Sequence, residues 1–133
     1  MSIRENVQTV KDFFAAMSRG DTQGVLTLSA EDIEWIIPGE NWPLAGTHRG
    51  RKGLADLLQK ASNSVETSYP EPPEFVAQGE RVLVVGSAKG RVMSTNKEFE
   101  DYWVFAITVR NGKLTHIREY LDTQALARAS AMP

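Results

Sequence analysis

The chain has 133 residues, of which 41% are hydrophobic and 24% charged, with a formal net charge of −2; this suits one domain over residues 1–133 with a core of its own. There is no basic excess of the kind that nucleic acid selects, no cysteine for disulfides, thiol nucleophiles or metal sites, and no apolar run of membrane-spanning length. The opening residues Met1-Ser2-Ile3-Arg4-Glu5 lack the apolar stretch of a signal peptide, so the expected location is cytoplasmic, with neither nucleic acid nor membrane as a partner.

Ser2 and Glu5 form a capping box at the start of a first helix. Ile3, Val7, Val10, Phe14 and Met17 follow at helical spacing and predict one apolar stripe. Gly20 stops that helix, and Asp21 is placed to cap a short second one carrying Val25, Leu26 and Leu28. Ile33 to Ile37 reads as a strand, broken by Pro38-Gly39. Asn41 to Gly50 reads as an irregular loop holding Trp42, Pro43 and His48. A third helix is predicted from about Arg51 to Ser64, with Leu54, Leu57, Leu58 and Ala61 inward. Pro70, Pro72 and Pro73 mark a stiff connector. Glu74–Gln78 and Arg81–Val92 predict a hairpin around Gly79-Glu80, and Asp122 is a natural N-cap for a C-terminal helix. Helix, helix, strand, helix and then four antiparallel strands is an α+β order, with helices on one side of a curved sheet.

Lys97 to Val109, a turn at Arg110-Asn111-Gly112, and Lys113 to Leu121 form a two-stranded ribbon. Asn-Gly permits two hairpins. A two-residue turn pairs Arg110 with Lys113 and sets Arg118 opposite Phe105. A three-residue loop pairs Val109 with Lys113 and sets Ile117 opposite Phe105. One residue of slip sends every side chain to the other face, and the second register segregates them better. It gathers Asp101, Trp103, Phe105, Ile107 and Val109 with Thr115, Ile117, Glu119 and Leu121 on an inner face. Trp103 is then expected opposite Glu119, with Asp101 diagonal to it at roughly 7–8 Å between Cα atoms. The other face, with Tyr102, Val104, Ala106, Leu114, His116 and Tyr120, is too apolar for a wet sheet surface. A two-fold homodimer through that outer face is therefore expected.

Gly39-Glu40-Asn41-Trp42-Pro43-Leu44-Ala45-Gly46-Thr47-His48-Arg49-Gly50, the strand Asp101-Tyr102-Trp103-Val104-Phe105, and the run from Val109-Arg110-Asn111-Gly112-Lys113-Leu114 to Arg118-Glu119-Tyr120-Leu121-Asp122 resemble the SnoaL-like branch of the NTF2-like (ketosteroid isomerase-like) superfamily. The similarity covers nearly the whole chain. It implies a cone-shaped α+β barrel of the cystatin-like kind, with a curved antiparallel sheet wrapped around the N-terminal helices, a deep apolar pocket and usually a homodimer. The superfamily hosts isomerases, polyketide cyclases, epoxide hydrolases, dehydratases and proteins without chemistry, so the fold does not select a reaction. By resemblance to limonene-epoxide hydrolase, a last-strand catalytic acid falls at Glu119 and a pocket asparagine near Asn41. The Arg-x-Asp pair of that enzyme falls near Gly86 and Ala88, which leaves its catalytic set incomplete here.

Glu119 and Asp101 are the candidate catalytic residues, because a carboxyl group aimed into an apolar space is costly unless something uses it. Apolar neighbours raise its pKa into the range useful for proton transfer, and two acids in one pocket split their values. The competing reading is a rim glutamate paired with Arg118 and a strand-end aspartate in water. Trp35, Trp42, Trp103, Ile117 and Leu121 are the candidate substrate wall, with Asn41 and His48 as polar groups at its mouth; core packing is the alternative for Trp35, a turn role for Asn41 and a surface role for His48. Two separated histidines and scattered carboxylates give no metal-ligand spacing, so neither metal nor cofactor is expected. The sequence thus points to a cofactor-free enzyme that moves protons on a small, mostly apolar ligand, with a non-catalytic small-molecule-binding protein as the alternative.

Overall fold

A computed structural model describes residues 2–132. Helix α1 spans Ile3–Ser18 and begins with the capping box: the Ser2 hydroxyl accepts from the Glu5 amide, and the Glu5 carboxylate accepts from the Ser2 amide. Its buried side chains are Asn6, Val10, Phe13 and Ala16. The stripe expected from Ile3 to Met17 is therefore rotated: Ile3 is exposed, Phe13 is in the core, and Phe14 and Met17 only border it. Asp21 caps α2 (Thr22–Thr27) by accepting from the Gly24 amide.

Strand β1 (Ser29–Ile37) starts four residues earlier than its apolar core suggests. Part of the segment read as a loop is strand β2 (Gly46–Arg49), which pairs antiparallel with β1. Helix α3 covers Gly50–Ser64 and buries Leu54 and Leu57. A short strand β3 (Val65–Ser68) follows, also absent from the sequence reading. The remaining strands are β4 (Glu74–Gln78), β5 (Arg81–Val92), β6 (Lys97–Arg110) and β7 (Lys113–Tyr120), and α4 (Thr123–Ser130) closes the order. Among the described residues no helix is long and apolar enough to cross a membrane.

The strands form one mixed sheet in the order β2-β1-β7-β6-β5-β3, and β4 pairs with the first half of the long β5 while β3 pairs with its second half. All pairings are antiparallel except β1 with β7, which run parallel and set Trp35 beside Ile117. Helix α1 lies against β4, β5 and β6, α3 against β1 and β2, and α4 against β5 and β6. The core thus fills the concave side of the sheet.

The β6–β7 ribbon corrects the expected register. Arg110 pairs with Lys113, and both Asn111 (φ 50°) and Gly112 (φ 75°) take left-handed conformations, as a two-residue turn of the right twist requires. Val109 then pairs with Leu114, but Thr108 pairs with His116. Thr115 is the extra residue of a bulge. Past it, Phe105 faces Glu119, so Trp103 is not the opposite partner and Asp101, four residues before Phe105 on β6, is not the diagonal neighbour. The turn decides one end of the ribbon and the bulge shifts the other, which no single hairpin register reproduces. Leu114, expected outside, is fully buried, while His116 and Arg118 are exposed and Ile117 and Glu119 are buried.

Two glycines make room for aromatic rings. A Cβ on Gly86 would sit 2.6 Å from Trp103 Cζ2, its cross-strand neighbour, and one on Gly90 would sit 2.5 Å from Phe99 Cζ. Both rings lie flat across the missing side chains. Gly86→Ala is expected to displace Trp103 and to cost about 1–3 kcal/mol, read as a lower urea midpoint together with an altered near-ultraviolet circular dichroism band.

Candidate active site

The concave face holds a partly open cavity of about 180 Å³. Its wall comes from alternate residues of β6 (Phe99, Asp101, Trp103 and Phe105), from Trp35 and Ile37 of β1, and from Ala88, Glu119 and Leu121. Its cover is Phe14 and Met17 of α1 with Leu57, Leu58 and Ala61 of α3, and Leu126 of α4 closes one end. Trp42, Leu44, Val65, Thr67 and Tyr69 complete the rim. A larger groove of about 700 Å³ runs along β3, β5 and β6, but it is lined by charged residues of both signs and carries neither buried acid.

The inward period of β6 is what brings Asp101 and Trp103 to the cavity, since residues two apart share a face. Glu119 arrives from β7 by the same alternation beyond the bulge. Asp101 is 5% exposed and Glu119 7%, and both stand among apolar side chains. Each carboxyl group has one fixed donor. Trp35 Nε1–H donates to Glu119 Oε2. The Asp122 amide donates to Asp101 Oδ1 at 2.8 Å, at the point where Asp122 also caps α4 through Ala125. The second oxygens, Glu119 Oε1 and Asp101 Oδ2, take no hydrogen bond from the described side chains or backbone. They are not sealed in the packing either, because Asn6 Oδ1 is the one described side-chain oxygen that is fully enclosed without a partner. Both residues line the cavity.

Burial pushes the Glu119 carboxyl group up from 4.5 to about 8, the Trp35 hydrogen bond opposes the rise, and the Asp101 charge adds to it. Asp101 is also raised, first by burial; the Asp122 amide pulls it down and the Asp122 charge pushes it up. The two acids differ because a backbone N–H stabilises the ionised form of Asp101, while Glu119 has only an indole donor in a drier place. Around neutral pH Glu119 is mainly protonated and able to donate from Oε1. Tyr69 stands at the rim, with its ring edge-on to Trp103 at 6.2 Å. The residue is 58% exposed, but the surroundings of its hydroxyl are desolvated enough to raise it, against a hydrogen bond from Thr67, and the charges of Glu119 and Asp101 raise it further. It therefore shares the electrostatic field of the acid pair.

Of the residues expected to line the site, Glu119, Asp101, Trp35, Trp42, Trp103 and Leu121 do so. Asn41, His48 and Ile117 do not line the cavity. Asn41 is exposed and takes a left-handed turn conformation, φ 62°. His48 is held away in β2, opposite Trp35, with Nε2 at 3.1 Å from the Leu44 carbonyl oxygen. Ile117 is fully buried in the core, two residues from Glu119, and pairs with Ile107. Phe99 joins the lining without having been singled out in the sequence, although it shares a face of β6 with Asp101 and Trp103. Tyr69 and Thr67 join it too, and nothing local in a short edge strand before a proline connector shows which way it folds. Trp42 reaches the rim because Gly39 (φ 105°) lets the indole fold back, where its Nε1–H donates to the Pro38 carbonyl at 2.9 Å. Among the described residues no group of three His, Asp or Glu side chains is placed to hold a metal ion.

Fold and site together define a small curved-sheet α+β protein whose concave face encloses buried acids. Residues 10–117 match the SnoaL-like domain family, and the chain belongs to it. It is 76% identical to an NTF2-like protein of Burkholderia xenovorans LB400, with a TM-score of 0.95 over 98% of this chain and 99% of that one. It is 26% identical to TerC, whose structure was determined with polyporic acid, at a TM-score of 0.83 over 95% and 98% of the two chains. An uncharacterized protein of Mycobacterium tuberculosis is 24% identical over 115 residues, 86% of this chain and 87% of its own.

The raised Glu119 value makes stability depend on pH. An unfolded glutamate loses its proton near 4.5, whereas the folded one holds it to about 8. The contribution is fully present below the lower value and is lost as pH rises through the upper one. Between those limits wild-type stability is expected to fall by up to roughly 1.4 kcal/mol per pH unit. Glu119→Gln, which keeps the shape without the proton, is expected to flatten that slope in urea titrations across pH 5 to 9.

Proposed function

We propose that this protein is an enzyme that moves protons on a small, mostly apolar molecule bound in the cavity, by isomerisation, cyclisation, dehydration or addition of water. The observation that supports it most is a pair of buried carboxyl groups, each hydrogen-bonded through one oxygen, in the lining of a mostly apolar cavity. Glu119 is the proton donor, protonated at neutral pH by its burial. Asp101 is the proton acceptor, its ionised form steadied by the Asp122 amide. This division of labour rests on unequal environments: burial raises both acids, Glu119 to about 8, and the backbone N–H at Asp101 opposes the rise there. Trp35 and Trp103 fix the ligand plane, and Trp42 with Tyr69 covers the mouth.

Binding without turnover is the second reading. It is favoured by the apolar lining and by the relative TerC, which holds polyporic acid. The two are separated by a panel of carbonyl, epoxide and hydroxyl compounds small enough for the cavity. For a compound that is turned over, Glu119→Gln is expected to lower kcat by about 10²–10⁴ with an unchanged circular dichroism spectrum. The wild-type rate is expected to fall as pH rises through about 8. Unchanged turnover in Glu119→Gln removes the assignment, and retention of ligand with no product from any compound leaves the binding reading.

A homodimer through the outer sheet face, where Tyr102, Tyr120 and Val85 are exposed, belongs to the same reading. Light scattering is expected to give twice the 14.8 kDa mass of the chain, and a monomer at micromolar concentration overturns it.

A further inference from the structure

The cavity is unbalanced in charge. Two acids line it, and no lysine, arginine or histidine does. Neither acid takes part in an ion pair among the described residues; the pairs found there join other side chains at the surface. Each acid is more than nine-tenths buried and keeps one oxygen without a hydrogen-bond partner. The rings beside them form a continuous aromatic wall. Trp103 and Phe105 lie 5.0 Å apart between centroids, Trp35 and Phe105 6.1 Å, and Phe14 and Trp103 6.4 Å.

Ligand charge decides what this lining favours. An anion meets two carboxyl groups and the negative faces of the rings. A neutral ligand leaves the second acid either protonated or unpaired. A cation satisfies both acids and is attracted by the ring faces. We propose that the cavity takes a small organic cation, a tertiary or quaternary ammonium whose charge sits between Glu119 and Asp101 and against the rings of Trp35, Trp103 and Phe105. This names a ligand class for the binding reading under Proposed function and rests on that reading, since a cation that ionises Glu119 is not a ligand to which Glu119 donates a proton.

The groups facing Glu119 show why the cation matters. Asp101 faces it from β6, the Tyr69 hydroxyl from the segment after β3, and the Trp35 N–H from β1. Helices α1, α3 and α4 present only apolar side chains to the cavity. No group of the described chain supplies a positive charge to the ionised pair, so the ligand supplies it. Binding therefore drives the Glu119 proton into solvent.

Choline and its uncharged isostere 3,3-dimethylbutan-1-ol test this, because they differ in charge and hardly in shape. Isothermal calorimetry on the full chain is expected to show choline binding at least ~10-fold more tightly than the alcohol at pH 9. Choline affinity is expected to rise from pH 6 to pH 9. In two buffers of different ionisation heat, a proton is expected to be released at pH 7 and none at pH 9.5. Glu119→Gln and Asp101→Asn are each expected to weaken choline ~10-fold and to shrink its preference over the alcohol; two variants are used so that a folding defect in one leaves the other. Equal or tighter binding of the alcohol overturns the cationic class and leaves the small-molecule site standing. Choline binding that neither variant weakens overturns it as well, since the cation then sits elsewhere. Binding of neither probe also overturns it, and the turnover panel alone then judges the site.

Discussion

The hydrogen bond from the Trp35 indole to the Glu119 carboxyl group ties the site to the sheet. It joins β1 to β7 across the parallel pairing, between residues 84 apart in sequence. An acid at 7% exposure among phenylalanine and tryptophan rings loses most of its hydration. One indole N–H does not replace it, so the group keeps its proton where an exposed glutamate would have lost it. Removing the donor would leave a buried acid with no fixed partner. The arrangement of β1, β7 and the rings between them is thus bound up with the protonation state of one side chain.

Geometry reaches that side chain through a short chain of local causes. Asn111-Gly112 makes a two-residue turn, Thr115 adds a bulge, and the bulge restores Glu119 to the concave face opposite Phe105. A register carried straight on from the turn would place Arg118 there instead. On the neighbouring strand, the missing side chain of Gly86 lets the Trp103 ring lie down, and the small Ala88 pairs with Asp101. The Asp122 amide then fixes Asp101 from the start of α4. A helix cap and a cavity acid share one residue, so α4 and the site are mechanically linked.

Membership of the SnoaL-like family accounts for the scaffold and not for the chemistry. One curved sheet with a covered concave face accommodates many ligands, and the choice lies in the few polar groups inside it. Here those groups are acids without a cation, in an aromatic box. The same physical fact, uncompensated carboxyl groups, underlies both the acid–base reading and the preference for a positively charged ligand.

Short-range chemistry was legible in the order of residues. Ser2 with Glu5, Asp21 and Asp122 set helix starts, Asn111-Gly112 marked where the ribbon turns but not the length of the turn, and the alternation Asp101, Trp103, Phe105 set one face of a strand. Each of these acts within a few residues, where side chain and backbone meet directly. The family resemblance was legible for the same reason, since it rests on contiguous runs of residues. Tertiary structure alone decided the parallel pairing of β1 with β7, the edge strands β2 and β3, the bulge at Thr115, the rotation of α1 that buries Phe13, and the exclusion of Asn41, His48 and Ile117 from the cavity lining. Those outcomes depend on which distant surfaces fit together once the chain is compact, and a pairing between Trp35 and Glu119 has no local signal to announce it.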